Sequence, residues 1–244
     1  MKLQLPDVTL ICIDTVCHDL AALAIKDCVR HCDFAEVIAF SDKAIIPADI
    51  GCNVVCEVDS LLAQQEFLWT TAWQHVHTSH FLVVHWDSWV IDPEMWRDVF
   101  MAFDYIGAPW WHRDRYCVGN GGFSLRSTRL AAHLATNKKR YPITHPEDVA
   151  LCRRHRFGLE REGFIWADFD TASDFAFEWV RKSDDQRHFG FHSLRNFPFV
   201  LTRDQLDERM ALMGDYEKKG EHYGYMQRNM RVMAELGREP GYVQ

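Results

Sequence analysis

The hydrophobic positions of this chain fall into short continuous apolar runs that alternate with stretches of helical spacing. Residues 8–13 form a continuous, β-branched run, and further short runs cover residues 36–40 and 52–58. Between the first two runs, residues 20–32 place their apolar side chains along one face of a helix. Strand, helix and strand in this order predict a buried, parallel sheet of Rossmann type, in which ligands bind at the carboxyl ends of the strands.

The same pattern continues along the rest of the chain. Ser60 is expected to cap a helix that runs to residue 78. Ser127 or Thr128 is expected to cap the helix that follows a half-buried strand, and Thr202 or Asp204 is expected to cap a C-terminal helix. The further predicted strands are residues 81–87, 123–127 and 163–167, and the further predicted helices are 94–103 with Trp96 and Val99 inward, 128–137, 205–213 and 216–236.

Polar side chains follow the first two predicted strands. Asp14 and Thr15 come directly after the first run, and Ser41 and Asp42 come directly after the second. In a parallel sheet these positions lie around one crevice. The four side chains are therefore candidates for binding the base and ribose of a nucleotide, and ordinary strand-end turns or caps are the alternative for each of them.

The stretch 104–127 concentrates glycines and aromatic side chains between two predicted elements. Gly121 and Gly122 allow the backbone to approach a ligand closely. Trp110 and Trp111 offer aromatic faces of the kind that pack against the apolar faces of sugar rings, and burial in the core is the alternative for both. This combination favours a carbohydrate site.

Three ordered motifs carry a resemblance to a known family. Residues 104–110 (DYIGAPW), 119–126 (GNGGFSLR) and 145–148 (HPED) resemble the signature of a glycosyltransferase family that carries a domain-of-unknown-function label. The resemblance extends from about residue 8 to about residue 192. It implies an α/β fold of the GT-A-like type, with a mostly parallel sheet flanked by helices.

The resemblance also implies how the chain is divided. Residues 1–200 are expected to form one GT-A-like glycosyltransferase domain, and residues 201–244 a helical C-terminal extension packed on it or beside it. The extension has mixed charge and lies beyond the region of resemblance.

GT-A enzymes typically carry an Asp-x-Asp motif after the strand that corresponds to residues 81–87, where a carboxylate holds Mn²⁺ or Mg²⁺. Here the sequence is His85-Trp86-Asp87, so the first acid is missing. The resemblance implies a metal ligand at Asp87 and a second one at His192, with His85 as a further nitrogen that suits Mn²⁺ better than Mg²⁺. Alternatively, Asp87 binds a sugar or ribose hydroxyl, and the two histidines are structural.

Glu147 and Asp148 stand at a predicted helix start, where the helix dipole alone would explain both acids. The resemblance implies more, because inverting GT-A enzymes often place an acidic pair here. It makes Asp148 the base that takes the proton from the acceptor hydroxyl, and Glu147 an acceptor-binding or cap residue.

Composition narrows the classes of partner. The 244 residues carry a formal net charge of −8 without a long basic run, which makes a nucleic-acid duplex an unsuitable partner but leaves a nucleotide-sugar open. The sequence contains neither an apolar run near the roughly 20 residues needed to span a bilayer nor a recognisable secretory signal. We therefore expect a cytoplasmic enzyme, and peripheral association with a membrane remains compatible with this.

The sequence thus predicts a glycosyltransferase of polysaccharide biosynthesis. It would move a sugar from a nucleotide-sugar donor to a hydroxyl of a glycan or glycolipid acceptor, with inversion favoured. Gly121 and Gly122 would approach the transferred sugar, and Trp110 and Trp111 would bind the acceptor. The two alternatives are a non-catalytic module that binds a sugar or nucleotide-sugar, and a nucleotidyltransferase on a similar sheet.

Overall fold

Ten α-helices and nine β-strands make up the computed structural model over the residues that it describes, which are 1–180, 186–235 and 237–240. The strands are β1 (Leu3–Ile13), β2 (Cys32–Ser41), β3 (Cys52–Val55), β4 (His80–Val84), β5 (Ser88–Val90), β6 (Tyr105–Gly107), β7 (Phe123–Ser127), β8 (Ala176–Phe177) and β9 (Gly190–His192). The helices are α1 (His18–His31), α2 (Leu61–Thr70), α3 (Thr128–Thr136), α4 (Glu147–Val149), α5 (Arg156–Arg161), α6 (Phe169–Phe175), α7 (Phe197–Val200), α8 (Arg203–Leu212), α9 (Asp215–Lys219) and α10 (Glu221–Glu235). Short 3₁₀ turns cover Ala72–His75, Pro93–Met95, Asp98–Ala102 and Leu194–Asn196, and a π-helical segment covers Ala150–His155.

The central sheet has six strands in the order β3-β2-β1-β4-β7-β6. Strands β1 to β4 run parallel, and β7 runs antiparallel to both of its neighbours. Leu10 and Cys12 of β1 belong to a buried cluster with α1, whereas Ile11 and Ile13 belong to another with α2 and α3. Burial on both faces explains the continuous apolar run. The predicted α/β fold, a mostly parallel sheet flanked by helices, is therefore confirmed.

A second sheet of three strands brings a distant part of the chain back to the end of β4. Strand β5 pairs antiparallel with β9, and β8 pairs parallel with β9. In this register Ser88 lies opposite His192. The pairing places His192 beside the turn that contains Asp87, although the two residues are far apart in the sequence.

Helix α2 begins as predicted but ends early. The Ser60 hydroxyl accepts a hydrogen bond from the Ala63 amide at 3.2 Å and caps the helix. The prediction that the helix runs to residue 78 is wrong. Thr71 leaves the helical backbone region with φ −129°, and the 3₁₀ turn Ala72–His75 follows.

The predicted helix over residues 94–103 is also wrong, because two 3₁₀ turns take its place. They are separated by extended backbone at Trp96 and Arg97, with ψ of 136° and 130°. This conformation lets the Trp96 ring pack against Phe189, with ring centroids 5.1 Å apart. Val99 does not face inward, since 41% of it is exposed.

Two predicted strands differ from the structure in other ways. The one over residues 163–167 is reduced to a single bridge between Trp166 and Tyr105. Strand β7 has the predicted bounds, and Ser127 caps α3 as expected. The alternation in β7 predicts a half-buried strand, but all five residues are buried because β7 lies inside the central sheet.

The chain continues after β9 through helices α7 to α10. Thr202 and Gln205 form a capping box at the start of α8, as the sequence predicts for Thr202. Residues 236 and 241–244 of the predicted C-terminal extension lie outside the described residues. Within the part of the chain that the structure describes, no helix has both the length and the apolar surface to cross a membrane.

Candidate active site

Three side chains with metal-ligand chemistry meet at the carboxyl end of β4. His85 follows that strand, Asp87 lies in the turn into β5, and His192 is the last residue of β9. One ligand atom from each lies within 4.8 Å of the others. The sheet register thus collects the three metal-ligand candidates of the sequence into one cluster.

Hydrogen bonds fix the orientation of this cluster. Asp87 Oδ2 accepts from the Leu194 amide at 3.0 Å, and Asp87 Oδ1 lies 3.4 Å from His192 Nε2. On the other edge of the ring, His192 Nδ1 lies 3.4 Å from Glu178 Oε1. Asn120 Nδ2 donates to Glu178 Oε2 at 2.8 Å. Sequence reasoning missed Glu178 and Asn120, since nothing local to either residue indicates that they meet.

The pKa values of the cluster describe an ion pair between Asp87 and His192 beside a neutral His85. Burial raises the pKa of Asp87, but the His192 charge outweighs it and lowers that pKa to about 2. Burial lowers the pKa of His192, but the Asp87 and Glu178 carboxylates outweigh it and raise the pKa to about 10. Burial and the nearby His192 charge lower the pKa of His85 to about 4, which leaves its ring neutral.

The donor set fits a divalent ion. Two imidazoles and one carboxylate suit a transition metal such as Mn²⁺ better than Mg²⁺, which prefers oxygen ligands. Glu178 stands behind His192, at the ring nitrogen that faces away from Asp87. A carboxylate in this position typically orients a metal-binding histidine and fixes its tautomer. A positive ion would replace the proton that now stabilises the pair of Asp87 and His192.

The glycine-rich loop before β7 lies directly against the cluster. A Cβ on Gly122 would stand 2.2 Å from His192 Nε2, and one on Gly121 would stand 2.3 Å from Glu147 Oε1. The Gly122 carbonyl accepts from the His85 amide at 3.0 Å. Only glycine fits at either position, because a side chain would collide with His192 or with Glu147. The two residues, here called the glycine floor, lie between the cluster and the acidic helix α4.

Asp148 and Glu147 have different surroundings. Asp148 is half-buried, and its Oδ2 accepts from the Gly121 amide at 3.2 Å. Burial and the negative charge of Glu147 raise the pKa of Asp148 to about 6. The carboxylate is ionised at neutral pH and close to the proton affinity that general-base catalysis requires.

Glu147 is not placed as an acceptor-binding or cap residue, contrary to the expectation from sequence. It makes no cap hydrogen bond, and it is 4% exposed. Its Oε1 accepts from Arg126 Nη2 at 2.8 Å, and its Oε2 accepts from Trp69 Nε1 at 2.8 Å. The guanidinium of Arg126 is fully buried and stacks over the Trp69 ring at 4.5 Å. Glu147 is therefore the acidic partner in a buried ion pair with Arg126, beneath the loop that contains Gly121.

A cavity of about 560 Å³ opens beside the cluster, between the end of β1 and the start of α2. Asp14 and Thr15 line it, together with His85 and Trp86. The Asp14 carboxylate accepts from the Val16 and Cys17 amides at 2.8 and 2.6 Å, so it also holds the turn into α1.

The other two nucleotide-binding candidates lie outside this lining. Ser41 is buried, and its hydroxyl donates to Asp42 at 3.2 Å. Asp42 pairs with His18 at 2.6 Å. The residues that follow β1 therefore line the cavity, whereas Ser41 and Asp42 at the end of β2 bond to each other and to His18.

The two adjacent tryptophans point to different environments. Trp110 is 8% exposed and packs on Gly119, where a Cβ would stand 2.0 Å from the indole ring. Trp111 is 61% exposed and meets Trp179 edge to face, with centroids 5.3 Å apart. Of the pair, only Trp111 offers a free aromatic surface.

Comparisons with known proteins give one family match. A model of the family described as "Protein of unknown function (DUF5672)" matches residues 50–192. This range contains the three metal-ligand candidates, the glycine-rich loop and Asp148. A search of curated proteins found no match.

Solved structures are similar only at low identity. A glycosyltransferase "involved in the glycosylation of the major capsid of PBCV-1" has 11% identity and a TM-score of 0.48, covering 83% of this chain and 99% of that one. The apo form of the glycosyltransferase GlyE from Streptococcus pneumoniae TIGR4 has 10% identity and a TM-score of 0.48, covering 100% and 66%. A mycobacterial protein has 10% identity and a TM-score of 0.34, covering 50% and 53%. The matches span about two thirds of GlyE and about half of the mycobacterial protein.

Proposed function

The chain belongs to the family described as "Protein of unknown function (DUF5672)", and we propose that it is a glycosyltransferase that moves a sugar from a nucleotide-sugar to a hydroxyl of a glycan or glycolipid acceptor. One observation carries the proposal. Two adjacent glycines join the His85, Asp87 and His192 cluster to Asp148, since Gly122 abuts His192 and Gly121 donates to Asp148. The metal-type cluster and the carboxylate proposed as the base thus lie against the same two loop residues.

The donor is assigned to the cavity beside the cluster. The base and ribose would occupy the space lined by Asp14, Thr15 and Trp86, and the diphosphate would extend toward Asp87 and His192. The cavity lies at the carboxyl end of β1, where α/β sheets bind their ligands. Its volume is in the range of small-molecule and cofactor sites.

His85, Asp87 and His192 would hold a divalent ion, whose positive charge would stabilise the departing diphosphate. The other steps of the transfer are assigned to backbone and side-chain groups of this chain. In this proposal the backbone of Gly121 and Gly122 lies close to the transferred sugar. A Cβ at either position would collide with Glu147 or His192, so neither position accommodates a side chain.

Asp148 acts as the base in this proposal. It accepts the proton of the acceptor hydroxyl as the acceptor oxygen forms its bond to the anomeric carbon. The bond from that carbon to the diphosphate breaks, and its electron pair leaves with the nucleoside diphosphate. Attack opposite the leaving group inverts the configuration. The exposed Trp111 ring, which packs against Trp179 next to Glu178, would support an acceptor sugar.

A thermal-shift panel tests donor binding. We expect one of UDP, GDP, CDP, ADP and dTDP to raise the melting temperature in the presence of Mn²⁺, because binding to the folded state stabilises it by mass action. In Asp87→Ala the shift should disappear, since the only carboxylate among the three ligands is lost.

The exposed Asp204→Ala serves as the matched control and should keep the wild-type shift. An equal shift without metal, or in Asp87→Ala, would argue against a metal-held donor. Binding without any transfer would favour a sugar-binding module, and release of pyrophosphate would favour a nucleotidyltransferase.

The pH profile of transfer tests the base. A general base works in its ionised form, and the pKa of Asp148 is raised to about 6 by burial and by Glu147. We therefore expect kcat/KM to be constant above about pH 7 and to fall about tenfold per pH unit well below pH 6. Initial rates between pH 4.5 and 8.5 with donor and acceptor held constant would show this limb. A rate that stays flat down to pH 4.5 would contradict the assignment.

A further inference from the structure

The segment from α9 to the start of α10, residues 215–222, contacts the candidate site at two points. At the cavity end, Glu217 Oε1 accepts from Cys17 Sγ at 2.8 Å, and Cys17 lines the cavity. At the cluster end, His222 Nδ1 hydrogen-bonds the Ser193 hydroxyl. The segment thus contacts the wall of the cavity and then the edge of the metal-type cluster.

Two independent contacts place the His222 ring at the rim of the cluster. Ser193 follows His192, and its amide donates to the Asp87 carbonyl at 3.0 Å. Trp179, whose ring centroid lies 6.0 Å from that of His222, follows Glu178. Ser193 is therefore one residue away from His192, and Trp179 is one residue away from Glu178, which contacts the His192 ring.

The His222 ring also has an N–H group that can donate a hydrogen bond. Its Nδ1 is engaged by Ser193, and when that hydroxyl donates to Nδ1 the proton of the neutral ring sits on Nε2. Within the described residues, Nε2 has no hydrogen-bond partner, and the side chain is half-exposed. An oriented N–H at the edge of a cation site is suited to a phosphate oxygen that bridges to the cation.

The local charge balance calls for such a donor. The acids near the cluster are Asp87, Glu178 and Asp148. Of the nearby arginines, Arg126 is paired with Glu147, and the Arg195 guanidinium lies over the Trp179 ring, where its charge acts on Glu178. A nucleoside diphosphate brings further negative charge into this region. Donors besides the metal are needed to hold it, and the glycine floor supplies no side chain.

We propose that His222 donates a hydrogen bond from Nε2 to the diphosphate of the donor, so that the start of α10 contributes a side chain to the donor site. This rests on the proposed function, because it assumes a nucleotide-sugar in the cavity. Residue 222 lies beyond the range matched by the family model, so the contact belongs to the C-terminal part of this chain.

Titration calorimetry with Mn²⁺ tests the proposal on the full chain. The probes are the nucleoside diphosphate selected by the thermal-shift panel and the corresponding monophosphate. His222→Ala should weaken the affinity for the diphosphate about tenfold, as for a lost hydrogen bond to a charged group, and change that for the monophosphate less than twofold. His222→Gln retains an N–H donor and should recover part of the loss.

Gln227→Ala, an exposed change on the same helix, is the matched control and should behave as wild type. Equal diphosphate affinity in His222→Ala and wild type would overturn the inference, as would equal loss for both nucleotides, which would indicate a structural role. In those cases the proposed function stands. If the wild type binds no nucleoside diphosphate, the donor assignment fails and this inference fails with it.

Discussion

Asp148→Asn is expected to lower the rate of glycosyl transfer by about 10²–10⁴-fold while donor binding remains unchanged. A positioned general base typically contributes this much. The amide is nearly isosteric and keeps an oxygen that can accept from the Gly121 amide, so the loop should not move. Single-turnover transfer and a nucleotide-binding titration on the same sample would separate the two effects.

The comparison needs a control that removes a carboxylate without touching the site. Asp204 is exposed on α8, and Asp204→Asn should transfer at the wild-type rate. An Asp148→Asn enzyme with more than a tenth of wild-type activity would rule out Asp148 as the base. Loss of donor binding in parallel with activity would instead point to a structural role.

Breaking the buried ion pair is expected to be the most destabilising single change. Arg126 is fully buried against Glu147, Ser124 and the Gly121 carbonyl. Glu147→Gln leaves the guanidinium without a counter-charge, which typically costs ~3–5 kcal/mol. Equilibrium unfolding in urea would measure the loss in the free energy of unfolding.

A double-mutant cycle makes the origin of this loss clear. Arg126→Met combined with Glu147→Gln removes both charges and keeps an acceptor for the Trp69 indole, so it should recover part of the stability. The exposed pair of Arg203 and Asp207 is the control, and Asp207→Asn should change stability very little. Equal, additive losses from the two buried changes would show that the charges do not stabilise each other.

Capping and apolar runs were readable from the sequence because they depend on near neighbours. Ser60, Ser127 and Thr202 cap the helices that follow them, and the run at residues 8–13 lies in the centre of the sheet. The ends of elements were less predictable. In α2 the helical spacing continues in the sequence past Thr71, whose backbone leaves the helical region.

The candidate site likewise contains residues that the sequence indicated and residues that it did not. The sequence named Asp87, His192 and Asp148 as single residues through the resemblance of its motifs. It did not indicate Glu178 behind His192, because the contact depends on the pairing of β8 with β9. It also predicted that residues 123–127 form a half-buried strand, whereas the burial of Arg126 follows from the position of β7 inside the sheet.

By itself, the sequence determined the class of fold, most of the local starts of helices and strands, and the residue types available for chemistry. These follow from periodicity, caps and glycines, which act over a few residues. Only the tertiary structure decided that Glu147 pairs with the buried Arg126 whereas Asp148 does not. It also decided that the end of β1, and not that of β2, lines the cavity. Those outcomes depend on burial and on contacts between distant segments, because the electrostatic free energy of a charge is set by what surrounds it in space.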